Sequence, residues 1–484
     1  MSLTRKIAHN TIIQTIGKVL STILGLVAIA MITRYLGQEN FGYYTTIMAY
    51  LSFFAILIDL GLTLSVTQMI SKPDADESKI FNNAFSLRFI TAFVFLVLSV
   101  AISLFFPYPY IVKLGIAITA ISFLFISLIQ VSVGVFQKKL KTDRIAIAEV
   151  VGRIFLILFT CIAIQSDWGV LGVMLAVIMG NLFNFLLVFI FTQKYIKFKP
   201  EFDFSVWKQI IVSTWPLAVS IACNLIYLKT DTVILSLTQP PQDVGLYGAA
   251  YKVIDVLTSI PTLFMGLILP VITAEWAMKN LDRFKSIMQK SFDFLIMLAI
   301  PLAIGTLFLS ERVMVFVAGP DFADSGKILN LLIFGAVSIF FGLLFGYAVV
   351  AVEKQKQMIW GYFTAAVIGL AGYLIFIPKY SYYGAAAFTI ISEAIVALLT
   401  FLMVYKTTKF APSLKILPKI ILAGLAMALC LYYFNFLNLF LLIILSSGIY
   451  FAILYLVKGI SKELITEIAQ FKKPSQELGP EIKP

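Results

Sequence analysis

The chain has 484 residues, 60% of them hydrophobic and only 13% charged, which leaves no room for a large aqueous domain. One histidine, His9, and three cysteines, Cys161, Cys223 and Cys430, scattered through apolar runs, argue against a catalytic triad, a metal centre or a disulfide framework. The net charge of +12 does not indicate a nucleic-acid partner, because the cations fall in short turns rather than on one continuous basic face.

In chain order, residues 1–10 are basic and run into an apolar stretch without a small-residue cleavage site, so that stretch reads as a retained span. Stretches long enough to cross a bilayer, which takes about 20 residues, lie at 10–33, 41–69, 80–106, 110–136, 144–165 and 169–192. They continue at 209–237, 245–273, 290–309, 327–352, 358–377, 382–405, 416–434 and 436–457. The turns on the side of the N-terminus carry 27 Lys and Arg. The opposite turns carry five: Arg34, Lys113, Arg312, Lys327 and Lys379. Basic turns stay in the cytoplasm, so both termini are expected inside, with the chain multi-pass in the cytoplasmic membrane. After 458, Ile460, Leu464, Ile465, Ile468 and Phe471 recur at helical spacing between charges, a pattern suited to lying on the inner leaflet.

The halves echo each other. Phe41-Gly42-Tyr43-Tyr44 follows the first span and Val244-Gly245-Leu246-Tyr247 follows the seventh. Trp168-Gly169 matches Tyr383-Gly384, and Lys141 matches Lys356, at one common offset. Six spans per repeat is an even number, so the repeats share an orientation. The expected fold is an all-α polytopic membrane protein of about 14 transmembrane helices. Two six-helix bundles, 1–200 and 201–409, are related by a pseudo-two-fold axis along the membrane normal; two further spans occupy 410–457, and 458–484 is a cytoplasmic tail.

Five cations fall inside spans: Lys18, Arg88, Arg153, Lys229 and Lys252. A charge at membrane depth is costly and marks a candidate site. Counting along the helices puts Lys18, Arg88 and Arg153 roughly 12–14 Å from the N-terminal side, and Lys229 and Lys252 a similar depth from the other. Two stations for an anion are one reading. Structural pairing is the other: Glu149 with Arg153 and Lys252 with Asp255 stand at pairing distance on their own helices, and Lys18 can snorkel. Asp59, Asp231, Asp255 and Glu393 are candidates for charge pairs or for carrying a coupling ion. Asn181, Asn184 and Asn224 suit either sugar hydroxyls or helix–helix bonds. Pro216, Pro261, Pro270 and Pro301 suit kinks in spans 7 to 9.

Arg34-Tyr35-Leu36-Gly37 with Phe41-Gly42-Tyr43-Tyr44, and Asp231-Thr232-Val233-Ile234-Leu235 with Val244-Gly245-Leu246-Tyr247, Ala249-Ala250-Tyr251-Lys252, Pro261 and Pro270, carry a family likeness. The chain resembles the polysaccharide-transporter branch of the multidrug/oligosaccharidyl-lipid/polysaccharide exporter superfamily. The resemblance implies flipping of polyprenyl-pyrophosphate-linked oligosaccharides for cell-surface polysaccharide, by alternating access, with no enzymatic step and no cofactor. Its partners would be that lipid-linked oligosaccharide, the membrane lipids and a coupling proton or sodium ion. The buried charges agree with it: Arg88, Lys229, Lys252 and Arg153 are the candidate cavity cations for the phosphates, with Asp59, Asp231, Asp255, Glu149 and Glu393 as candidate coupling or pairing groups. An ion-coupled exporter of drugs or small molecules in the same superfamily is the alternative, and carboxylates rather than cations would suit its cavity. A membrane-embedded glycosyltransferase would need a catalytic loop, and the loops here are short.

Overall fold

The computed structural model describes residues 3–72 and 74–459, with side chains over 13–72, 74–214 and 230–459. The side chains of Pro216, Cys223, Asn224 and Lys229, and the expected amphipathic tail beyond 459, lie outside the described residues. The helices are α1 (Leu3–Asp59), α2 (Leu62–Ser71), α3 (Glu77–Ser103), α4 (Tyr110–Lys138), α5 (Asp143–Gln165), α6 (Gly169–Gln193) and α7 (Phe204–Thr238). Then come α8 (Pro241–Ala277), α9 (Leu281–Ala318), α10 (Ser325–Ala351), α11 (Gln355–Thr408), α12 (Leu417–Tyr433) and α13 (Leu439–Leu456).

Two of these are double-length. α1 has 57 residues and breaks at Gly37, whose φ of 67° is a left-handed backbone that glycine adopts freely. α11 has 54 residues and breaks at Ser381. Each has length for two crossings, and the second limb of α1 continues through a short break into α2 to complete the second crossing. The result among the described residues is consistent with fourteen passages, in the order of the fourteen apolar stretches. Turns expected near 34–40 and 378–381 are therefore one-residue breaks. Pro261, Pro270 and Pro301 lie inside α8 and α9, whose helical assignment continues through them. A missing amide donor is tolerated inside a membrane helix where neighbouring groups re-satisfy the freed carbonyl.

The two halves repeat their packing. α4 meets α6 through Asn181 and Ser122, and α10 meets the second limb of α11 where Gly335 faces Ile390 and Gly342 faces Ala397. Left-handed residues recur at matching turns: Leu140 and Glu353 after the fourth and tenth passages, Asp167 and Ser381 after the fifth and eleventh. α12 and α13 pack on α9 and on each other.

The side from which α1 starts is called the near side here, and the opposite one the far side. Apart from the connection 201–207, which bonds to the start of α3 through Asn82 and Asn83, the hydrogen bonds that join the bundles among the described residues gather on the far side. Arg34 donates to the carbonyls of Val317 and Val315, 3.1 and 3.4 Å away, and of Phe316, capping the C-terminal end of α9. Gln38 donates to the carbonyl of Asp321, Gln242 donates to Glu39 at 3.1 Å, and Tyr108 meets Ser236 at 3.0 Å. Here the two echo glycines meet. A Cβ on Gly42 would lie 1.8 Å from the Pro241 carbonyl oxygen, and one on Gly245 would lie 2.1 Å from that of Gln38. Only glycine allows backbones to approach so closely.

Candidate functional site

Below that seal the bundles separate around three adjoining lobes of cavity. The central lobe, about 380 Å³, is lined by Lys18, Ser21, Glu149 and Arg153 from the first bundle and by Lys252, Asp255 and Ser259 from the second. A first-bundle lobe of about 530 Å³ continues past Lys18 and Arg153 to Gln130, Asn181 and Asn184. A second-bundle lobe of about 520 Å³ shares Asp255 with the centre and extends to Tyr251, Thr258, Thr262, Tyr347, Tyr362 and Glu393.

Pairing within the central lobe departs from the same-helix expectation. Glu149 does not take Arg153, four residues on. It accepts from Lys18 Nζ at 3.0 Å and from Ser21 Oγ at 2.9 Å, both on α1. Gly17 makes this possible, because a Cβ there would lie 2.7 Å from Ala146 Cβ and α1 thus runs tight against α5. Arg153 is left without an ion-pair or hydrogen-bond partner among the described residues. Lys252 likewise makes no bridge to Asp255. Two half-buried, unpartnered cations from different bundles therefore line one chamber.

Lys252 consequently belongs to the same chamber as Arg153, and two separate anion stations do not exist for these residues. The depth count itself holds. Lys252 lies 11 residues from the start of α8 and Arg153 ten from the start of α5, about 16 and 15 Å from opposite ends. In a hydrocarbon core of about 30 Å the two meet near the middle. Lys18, read as snorkelling, lies on the cavity wall too. The signal available for it was the spacing Lys18-x-x-Ser21, one polar face of an otherwise apolar helix.

Arg88 is elsewhere. Its side chain is fully buried and lines none of the three lobes. The guanidinium pairs with Asp59, donates to the Ile58 carbonyl at 2.9 Å and reaches Thr63 Oγ1 at 2.7 Å. This cluster sits at the break of the second passage, where Leu60 and Gly61 adopt φ of 36° and 88°. A break leaves orphan carbonyls on one limb and orphan amides on the next. Arg88 takes the carbonyl, and Asp59 accepts from the amides of Gly61 and Thr63. With no water in hydrocarbon to satisfy those groups, the pair holds the break together.

The remaining carboxylates divide. Asp231 is buried and accepts from the Tyr247 hydroxyl at 2.7 Å, with Thr389 alongside. Asp255 is exposed to both the central and the second-bundle lobes. Glu393 is 6% exposed and reaches the second-bundle lobe. Asn181 bonds to Ser122 at 2.7 Å, the helix–helix role, whereas the carbonyl oxygen of Asn184 is buried without a partner at the wall of the first-bundle lobe. No group of three or more metal-ligating side chains occurs among the described residues.

A cavity between two repeated helical bundles, sealed on one side of the membrane, is transporter architecture. The family described as polysaccharide biosynthesis protein matches residues 7–276, and a second family, MatE, matches 216–375. The chain belongs to the polysaccharide biosynthesis protein family, the polysaccharide-transporter branch of the exporter superfamily named above. A capsular polysaccharide biosynthesis protein, CapF of Staphylococcus aureus, is 22% identical over 402 residues, 81% of this chain and 97% of CapF. The solved structure of the lipid II flippase MurJ in an inward closed conformation superposes with a TM-score of 0.78 at 18% identity, covering 94% of this chain and all of that one. An inward-facing multidrug resistance MATE family transporter superposes with a TM-score of 0.67 at 14% identity, over 82% of this chain and 98% of its own. These similarities fix the fold of a multi-pass membrane protein.

Proposed function

We propose that this protein translocates a polyprenyl-pyrophosphate-linked oligosaccharide across the cytoplasmic membrane for cell-surface polysaccharide synthesis. The observation that carries this reading is the pair of unpartnered cations, Arg153 and Lys252, lining one chamber from opposite bundles. A charge in that setting is costly unless a ligand neutralises it. The apolar tail of such a substrate can stay in lipid while its pyrophosphate cannot. Arg153 offers a bidentate fork and Lys252 a point charge to the phosphate oxygens. Because the cations belong to different bundles, a bound pyrophosphate bridges the bodies that alternating access must move.

In this reading the bundles 1–200 and 201–409 are the moving bodies and 410–457 is appended to the second. The near side faces the cytoplasm, in keeping with its basic turns. Arg88 holds the break of the second passage rather than the substrate. Asp231, buried on the second bundle, is the group placed to carry a coupling proton or sodium ion. The multidrug-exporter alternative is disfavoured by free cations in the central chamber, which repel cationic drugs.

The test is flipping of a pyrophosphate-linked glycolipid in reconstituted vesicles by Arg153→Gln and Lys252→Gln, with insertion and thermal stability measured in parallel. Transport falls at least about tenfold in each, since a charge-assisted bond lost in a poorly screened site costs about 1.5–3 kcal/mol, while both variants insert normally. Transport unchanged in the double variant removes these cations from the mechanism.

A further inference from the structure

The lobes differ in chemistry, and the difference bears on which glycans fit. Arg153 and Lys18 line both the central and the first-bundle lobes. The second-bundle lobe has no cation among the described residues and holds two carboxylates, Asp255 and Glu393. Neither carboxylate has an ion-pair or hydrogen-bond partner among the described residues. Glu393 is more than nine-tenths buried and yet reaches the lobe, so its hydrogen-bonding capacity is directed at whatever fills that space. A carboxyl group at the wall of a narrow chamber takes its hydrogen bonds from what enters it, which fits a donor-bearing ligand. The rings of Tyr347 and Tyr362 stand on the same wall, their hydroxyls likewise unpartnered among the described residues, with Thr258 and Thr262 close by. Sugar rings present apolar C–H faces and a rim of hydroxyl donors, and aromatic faces with carboxylates match both.

Resting on the flippase reading, we propose that the second-bundle lobe is the glycan subsite and that it selects neutral or amino sugars against carboxylated ones. Asp255 and Glu393 accept from hydroxyl or ammonium groups of the sugar while Tyr347 and Tyr362 pack on its faces. The sugar's pyrophosphate stays among Arg153 and Lys252, and Asp255 stands where the two subsites join. A uronic acid in this lobe brings its carboxylate up to that of the exposed Asp255, which is selectivity by repulsion. The opposite ranking follows if the glycan lies in the first-bundle lobe, where Lys18 and Arg153 would attract a carboxylate.

The experiment uses farnesyl pyrophosphate and its glucose, glucosamine and glucuronic acid conjugates, titrated calorimetrically into the full chain in detergent. The expected result is that the glucose and glucosamine conjugates bind roughly tenfold or more tightly than the glucuronic acid conjugate, the scale of one close like-charge contact. In Asp255→Asn and in Asp255→Asn/Glu393→Gln the gap narrows stepwise. Equal or tighter binding of the glucuronic acid conjugate by the unaltered chain overturns the proposal, and so does a gap that both variants leave intact. Asp255 is exposed to the cavity, so its single variant keeps the test decisive if the buried Glu393 substitution prevents folding. Failure of the flippase reading has its own signature. Bare farnesyl pyrophosphate would then bind no more weakly to Arg153→Gln/Lys252→Gln than to the unaltered chain.

Discussion

On the far side the two bundles touch backbone to backbone, and on the near side they part around charged side chains. The far-side contact depends on what is missing: Gly42 and Gly245 have no Cβ where any other residue would strike a carbonyl oxygen. The near-side chamber depends on what is unsatisfied, namely Arg153 and Lys252 without partners. The far-side seal parts by giving up close packing and the hydrogen bonds of Arg34, Gln38, Gln242 and Tyr108. A chamber built from unpaired charge stays costly until an anion enters. The contrast describes a molecule closed at one face by close backbone packing and hydrogen bonds and lined with unpaired cations below it.

The largest change in how the two bundles meet is expected from Gly42→Val. Its added carbons have no room against Pro241, and overpacking of this kind costs about 1–3 kcal/mol or more, so the far side parts. Cysteines placed at Glu39 and Gln242, whose side chains now meet at 3.1 Å, cross-link readily in the parent background and poorly in the Gly42→Val background. Equal cross-linking breaks the comparison.

Next comes Arg88→Gln. Removing one partner of a buried ion pair costs about 3 kcal/mol or more, here at the break between α1 and α2. Thermal stability in detergent falls by several degrees, and adding Asp59→Asn recovers part of it, as coupled neighbours do. Normal stability with lost transport instead returns Arg88 to the substrate path.

A smaller change is expected from Arg34→Gln. The side chain is exposed, so the cap it forms on α9 is worth about 0.5–1 kcal/mol. The cysteine cross-link between positions 39 and 242 weakens only partly, and Arg34→Lys retains some of it. The smallest change belongs to Lys18→Gln. Its charge already faces Glu149 in a partly exposed pair, so transport stays within roughly threefold of the parent. A loss exceeding that of Arg153→Gln contradicts the pairing.

Apolar length and turn charge made the order of the passages legible, within a few residues at most ends. Three features were hidden. The break at Leu60 with Gly61 rests on two residues inside an apolar run, where nothing in composition separates it from glycines that merely pack. Those at Gly37 and Ser381 fall in the expected turns, and only their brevity was hidden. Ion pairing was hidden because spacing rules see one helix at a time. Glu149 finds Lys18 on α1, and Arg88 finds Asp59 across a break that only the fold creates. The third was the convergence of Lys252 and Arg153, whose depths from opposite ends were read as two levels when in a core of about 30 Å they amount to one. The repeat was legible in Phe41-Gly42 and Val244-Gly245, yet that these two echoes press against each other is a fact of the tertiary structure alone.

The central claim is one chamber, open to the near side, whose free cations hold an anionic head. Ser259 lines it, two helical turns beyond Lys252. In a chain whose native cysteines are replaced, a cysteine at 259 is exposed to a membrane-impermeant thiol reagent in sealed vesicles of known sidedness, with and without farnesyl pyrophosphate. The account predicts labelling from the near side, slowed by farnesyl pyrophosphate in the parent and not in Arg153→Gln/Lys252→Gln. Labelling only from the far side, or protection that survives loss of both cations, would contradict it.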